Sequence, residues 1–155
     1  MYRKADTMKE KGKLALEILV QTRPEETREF ETELGRVKMI PFGGTVDCEL
    51  FHGICEPFGV DTQITNQADV RHMSARYMLT GKDSAGSDCH IYVENNAYFT
   101  NGETPRPFYS EPTFYTDSKL LAPYLHRNQF IGEGKREEDG LHIRFYELKT
   151  KSCPG

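Results

Sequence analysis

The sequence predicts an all-β fold: a single antiparallel β-barrel of about eight strands with one short helical turn. Three observations carry this. Short runs of β-branched, aromatic and alternating residues recur along the chain, separated by Gly, Pro, Asn and Asp. No helical apolar period is sustained except briefly after Asp117. No linker or repeat divides the 155 residues, a length that suits one domain.

The elements follow in order. Leu14–Thr22 reads as the first strand. An acidic connection follows, with a helical turn started at Pro24. Gly35–Phe42 is a second strand, ended by Pro41 and the Gly43-Gly44 pair, and Thr45–Ile54 a third, stopped at Glu56-Pro57. Val60–Thr65, Val70–Thr80 and His90–Asn95 are three more, the last two joined by a hairpin-like loop from Gly81. A Pro-, Gly- and aromatic-rich loop leads to a strand at Thr113–Thr116. Asp117 or Ser118 caps a helix within Lys119–His126, kept short by Pro123. Gln129–Lys135 and Leu141–Lys149 form a terminal hairpin. The barrel is expected over residues 13–149, with residues 1–12 and 150–155 as flexible ends.

Composition narrows the partners. Against 20 Lys+Arg stand 24 Asp+Glu, a net charge of −4, so the basic bias of a nucleic-acid or anionic-membrane partner is absent. The first apolar run, Leu14 to Val20, is broken by Glu17, which argues against a secretory signal and for a cytoplasmic protein. The four cysteines form no Cys-x-x-Cys pair, and isolated thiols in a reducing compartment are expected rather than a metal site. No phosphate-loop motif occurs, and Gly132-Glu-Gly134 lacks a following helix. No cofactor is expected.

The chemistry-bearing candidates lie on strands. On Val70–Thr80, Met73, Ala75, Tyr77 and Leu79 share one face; His72, Ser74, Arg76 and Met78 share the other. With Thr80 set opposite Asp88, Arg76 faces Tyr92 and lies diagonal to Glu94, within reach of a bidentate pair. Facing outward, the pair is an ordinary surface contact; facing inward, it lines a pocket. Asp61 and Gln63 share a face and offer a carboxylate and an amide. His126 follows the helical turn and is a candidate acid–base group, since histidine as a type titrates near neutrality.

Six segments in order resemble one family: Ile40-Pro-Phe-Gly-Gly-Thr45, Asp61-x-Gln63, Ala75-Arg-Tyr77, Ile91-x-Val-x-Asn95, Pro112-x-Phe114, and Tyr124-Leu-His-Arg-Asn-Gln-Phe-Ile-Gly-Glu-Gly134. The chain from about Leu14 to Leu148 is similar to the mostly bacterial domain of unknown function 3237, also called uncharacterised protein family 0311. The resemblance implies a small barrel similar in build to the allene oxide cyclase and dirigent barrels, assembled as a homo-oligomer, with no established reaction. Asp61, Gln63 and Arg76 match recurring polar positions of that family. Ser74 stands where the family tends to Asp, Thr62 where it tends to Trp, and His126 where it tends to Asn.

Three functions stay open. The first is a barrel that binds a small, largely apolar organic molecule through Tyr77, Tyr92, Phe114 and Tyr124, with its polar ends fixed by Asp61, Gln63, Arg76 and Glu94. The second is a cofactor-independent isomerase, cyclase or lyase with Asp61 or Glu94 as base and His126 as alternate acid. The third is a structural homo-oligomeric module with a filled barrel.

Overall fold

A computed structural model describes residues 9–150. Strands β1 (Lys9–Thr22), β2 (Arg28–Thr32), β3 (Gly35–Asp47), β4 (Phe51–Asn66), β5 (Val70–Asp83), β6 (Asp88–Thr100), β7 (Phe108–Thr116), β8 (Phe130–Glu137) and β9 (Gly140–Thr150) are joined by a 3-10 turn at Pro24–Glu26 and one helix, α1 (Ala122–Leu125). All pairings are antiparallel. Strand β1 pairs with β9 along one edge and with β3 along the other, which closes the sheet. Because β1 and β2 lie one after the other beside β3, nine strands make an eight-strand barrel. No helix among the described residues is long and apolar enough to cross a membrane.

The strands are longer than the punctuation of the sequence suggests. Strand β3 continues through Pro41 and the Gly43-Gly44 pair, with a register shift between Phe42 and Gly44. Strand β4 likewise continues through Pro57, with a shift between Cys55 and Val60. Bulges absorb both interruptions, so residues that read as strand ends become bends within strands. The chain expected to be an acidic connection contains β2, all of it exposed. The described chain is already paired at Lys9 and still paired at Thr150; the remaining residues of the expected flexible ends lie outside the described range.

The β5–β6 hairpin is shifted by two residues from the expected register. Thr80 faces His90, and Arg76 directly faces Glu94. The physical reason is Asp83. Its buried carboxylate accepts the amides of Ala85 and Ser87 at 3.0 Å each and the Ser118 hydroxyl at 2.7 Å, which tightens the turn and extends both strands. An even shift leaves every side chain on its own face.

One buried core runs along the barrel, and α1 closes one end of it. Ser118 Oγ accepts the Leu121 amide at 3.1 Å and so starts the helix. Leu121 and Leu125 are buried against the barrel. Phe114 is fully buried and meets Phe130 and Phe145 edge-on, with centroids 5.3 and 5.2 Å apart. Each such aromatic pair adds to the area term. Phe114→Ala should therefore cost about 3–5 kcal/mol, read as a fall in the urea unfolding midpoint. A loss below about 1 kcal/mol would contradict this packing.

Candidate functional site

Opposed residues on neighbouring strands share a face, so the buried face of β5 identifies the interior. Met73, Ala75, Tyr77 and Leu79 are buried core. Asp61 lies opposite Ala75 and Gln63 opposite Met73 on β4, while Asn95 lies opposite Ala75 on β6. Ile40 and Lys38 of β3 extend the same two rows. Arg71, two residues before Met73, faces inward opposite Phe99. Ser110 of β7 is buried against Gly132, where a Cβ would overlap its hydroxyl. One end of the barrel is thus plugged by α1 and Phe side chains, and the other carries polar groups beside Phe99 and Phe108, which meet edge-on at 5.7 Å.

These polar groups form a chain. Gln63 Nε2 donates to Asp61 Oδ2 at 2.8 Å, and Arg71 Nη1 donates to Gln63 Oε1 at 3.3 Å. Arg71 Nη2 donates to the Thr104 hydroxyl on the β6–β7 connection, and its guanidinium lies 5.0 Å from the centre of the Phe99 ring. Four atoms here are buried without a hydrogen-bond partner: Asp61 Oδ1, Asn95 Oδ1, Ser110 Oγ and Arg71 Nε. Burial pushes the Asp61 carboxyl above the ordinary carboxylate range, although the Gln63 bond and the charges of Arg71 and Lys38 oppose the shift. Burial likewise pushes the Tyr77 phenol well up; its ring meets Phe42 edge-on at 5.1 Å. A hollow of about 700 Å³ lies against the connection, bordered by Thr100, Asn101 and Glu103 to Arg106. Thr104 borders it and also accepts a hydrogen bond from Arg71, so one residue of the connection touches both the hollow and the polar chain.

The other candidates lie elsewhere. Arg76, Tyr92 and Glu94 are on the outer face, the opposite side of the sheet from Ala75 and Val93. The Arg76 and Glu94 side chains are 65% and 33% exposed, with Nε 3.9 Å from Oε1. An inward role for this pair is therefore corrected: parity placed it opposite the apolar face, and that face is the interior. Hydrogen bonds from Asn96 and from Tyr92 hold the Glu94 carboxyl below its usual range. His126 is exposed, and its Nε2 accepts the Thr116 amide at 2.9 Å. Phe114 and Tyr124 belong to the plugged end. The Tyr124 hydroxyl donates to Glu147 at 2.6 Å, and burial first, then that bond, raises its pKa.

A second outer cluster is satisfied within itself. Arg144 donates to Glu137 at 2.8 and 3.3 Å and to Glu17 at 3.0 Å, while His142 bridges Glu17 and Asp139.

Sequence reasoning passed over Arg71, Asn95 and Ser110. The signal for two of them was present. Arg71 continues the Met73–Ala75–Tyr77–Leu79 alternation, and Asn95 continues Ile91–Val93. A polar residue in phase with an apolar face is the mark of a buried polar group.

Fold and site together define a small closed antiparallel barrel with one apolar, helix-plugged end and one polar inner end. The chain belongs to the family described as Protein of unknown function (DUF3237), whose model matches residues 11–148. A relative from Clostridium acetobutylicum, named as a UPF0311 protein, is 29% identical over 130 residues, covering 74% of this chain and 79% of the relative. A solved structure of a protein with unknown function from Clostridium acetobutylicum has 25% identity and a TM-score of 0.69, covering 91% of this chain and 98% of that one. A beta-barrel like protein from Acinetobacter baumannii shares the fold at 20% identity and a TM-score of 0.67, with 91% and 96% covered.

Two stability outcomes follow from this geometry. An acid whose pKa rises on folding holds its proton more tightly in the folded state. Its presence therefore costs stability as pH climbs from the ordinary 3.8 through the raised folded value. Asp61→Asn should raise the urea midpoint at pH 7, and the gain should vanish below about pH 3.8. A gain that persists unchanged at low pH would contradict the burial of this carboxylate. Arg76→Ala, by contrast, should change stability by less than about 1 kcal/mol, as an exposed pair does; a larger loss in the same denaturation assay would refute a surface role.

Proposed function

We propose that the barrel binds a small, largely apolar organic molecule at its polar inner end. The observation that carries this reading is a set of buried, unpartnered polar atoms: Asp61 Oδ1 and Asn95 Oδ1 on either side of Ala75, and Ser110 Oγ on β7. Each such atom costs about 1–3 kcal/mol when nothing bonds to it. A bound molecule with matching groups would remove that cost, and Met73, Tyr77 and Phe99 supply apolar walls. Gln63, held between Asp61 and Arg71, fixes the direction of the polar groups.

Catalysis is the second reading, favoured by one feature. Asp61 combines an up-shifted carboxyl with a free oxygen facing the interior, which suits a general base acting without a cofactor. Arg71 and Tyr77 lie on the same inner face, able to stabilise developing negative charge.

Two further features bear on where and how the protein works. Cys48, Cys55 and Cys89 are free, which suits residence in a reducing cytoplasm. The outer row Phe30, Val37, Ile64, His72 and Tyr98 crosses five strands, with Phe30, Ile64 and Tyr98 exposed, and supports assembly into a homo-oligomer.

A thermal-shift screen of small aromatic and aliphatic compounds tests binding, with Ala75→Leu as the comparison because its larger side chain would stand in the row between Asp61 and Asn95. At a hundred times its Kd, a ligand should raise the Tm of the natural protein by about 5–10 °C and leave Ala75→Leu unmoved. If no compound shifts the natural protein more than the variant, the interior is not a binding site.

A further inference from the structure

Three of the site's four unpartnered atoms, leaving aside the Ser110 hydroxyl that can both donate and accept, are ordered by chemistry along the barrel. Asp61 Oδ1 and Asn95 Oδ1, in the Ala75 row, accept hydrogen bonds. Arg71 Nε, nearer the β6–β7 connection, can only donate. A matching molecule must therefore present a donor at depth and an acceptor at the entrance.

Charge sharpens the second requirement. Arg71 is half-buried and forms no ion pair among the described residues; its two Nη groups bond neutral partners, Gln63 and Thr104. Phe99 covers its guanidinium. Lys38, opposite Gln63, adds a second cation to the same inner face. The nearest carboxylate along the chain of bonds is Asp61, and the Gln63 amide stands between it and Arg71. A half-buried guanidinium with a buried, idle Nε is an incomplete carboxylate site.

We propose that the ligand is a hydroxylated organic carboxylate, its carboxylate on Arg71 Nε with Lys38 nearby and its hydroxyl donating to Asp61 Oδ1. This rests on the binding reading given above and adds the chemical class. The two anchor points are separated by one side-chain amide, so the molecule is a compact one, on the scale of a single aromatic ring. Met73, Tyr77 and Phe99 would flank that ring.

The test uses 3-fluoro-4-hydroxybenzoate and its methyl ester as fluorine-NMR probes of the full chain. The acid should bind at least about tenfold more tightly than the ester, the discrimination expected of a charge-assisted bond. Arg71→Gln should abolish that preference, and Arg71→Lys should keep part of it. Asp61→Asn should weaken the hydroxy acid without changing the affinity for 3-fluorobenzoate. Equal binding of acid and ester, or a preference that survives Arg71→Gln, overturns the carboxylate assignment and leaves the binding reading intact. The assignment also falls if the acid fails to bind while a neutral compound of the screen does. If neither probe binds and the screen is silent too, both readings fall together.

Discussion

Closure of the sheet governs everything else in this molecule. Strand β1 bonds to β9 on one side and to β3 on the other, so inside and outside become separate environments along every strand. Period-two alternation then assigns each side chain to one of them. Ala75 and Arg76 are adjacent in sequence, yet one is core and the other faces solvent. A chain with modest apolar content can fold this way because only alternate residues need be apolar, and its nine Phe and eight Tyr bury large areas at few positions.

The interior is divided along its axis. At one end α1 brings Leu121 and Leu125 against the Phe114–Phe130–Phe145 group, and every one of those side chains is buried. At the other end Ala75 and Ala97 leave the wall low, and Asp61, Gln63, Asn95 and Arg71 occupy the same inward rows. The helix-plugged end is packed with apolar side chains, whereas the other mixes Met73, Phe99 and Phe108 with these polar groups. Such segregation lets a small domain carry buried polar groups that a uniform core could not tolerate.

The fold was legible in the sequence because β-branched and aromatic alternation is a local signal, and so were the terminal hairpin and the short helix. Strand ends were not. Pro41, Gly43 and Pro57 look like terminators, but bulges let the ladder pass them. The hairpin register depended on the buried contact between Asp83 and Ser118, 35 residues apart, which no local pattern contains. At the site, Asp61 and Gln63 could be named from their spacing, whereas Arg76 and Glu94 drew attention away from Arg71 and Asn95. Conspicuous opposite charges on neighbouring strands are cheap on a surface. The informative residues were the polar ones that keep step with Leu79, Tyr77 and Ile91.

The bond from Arg71 to Thr104 ties a barrel side chain to a connection that makes no ladder pairing between Asn101 and Pro107. The strand framework can therefore stay fixed while that segment varies in length or composition. Altering it would reposition one guanidinium and reshape the adjoining hollow without disturbing a single strand pair. Descendants of such a chain have a place to vary sequence at almost no risk to folding.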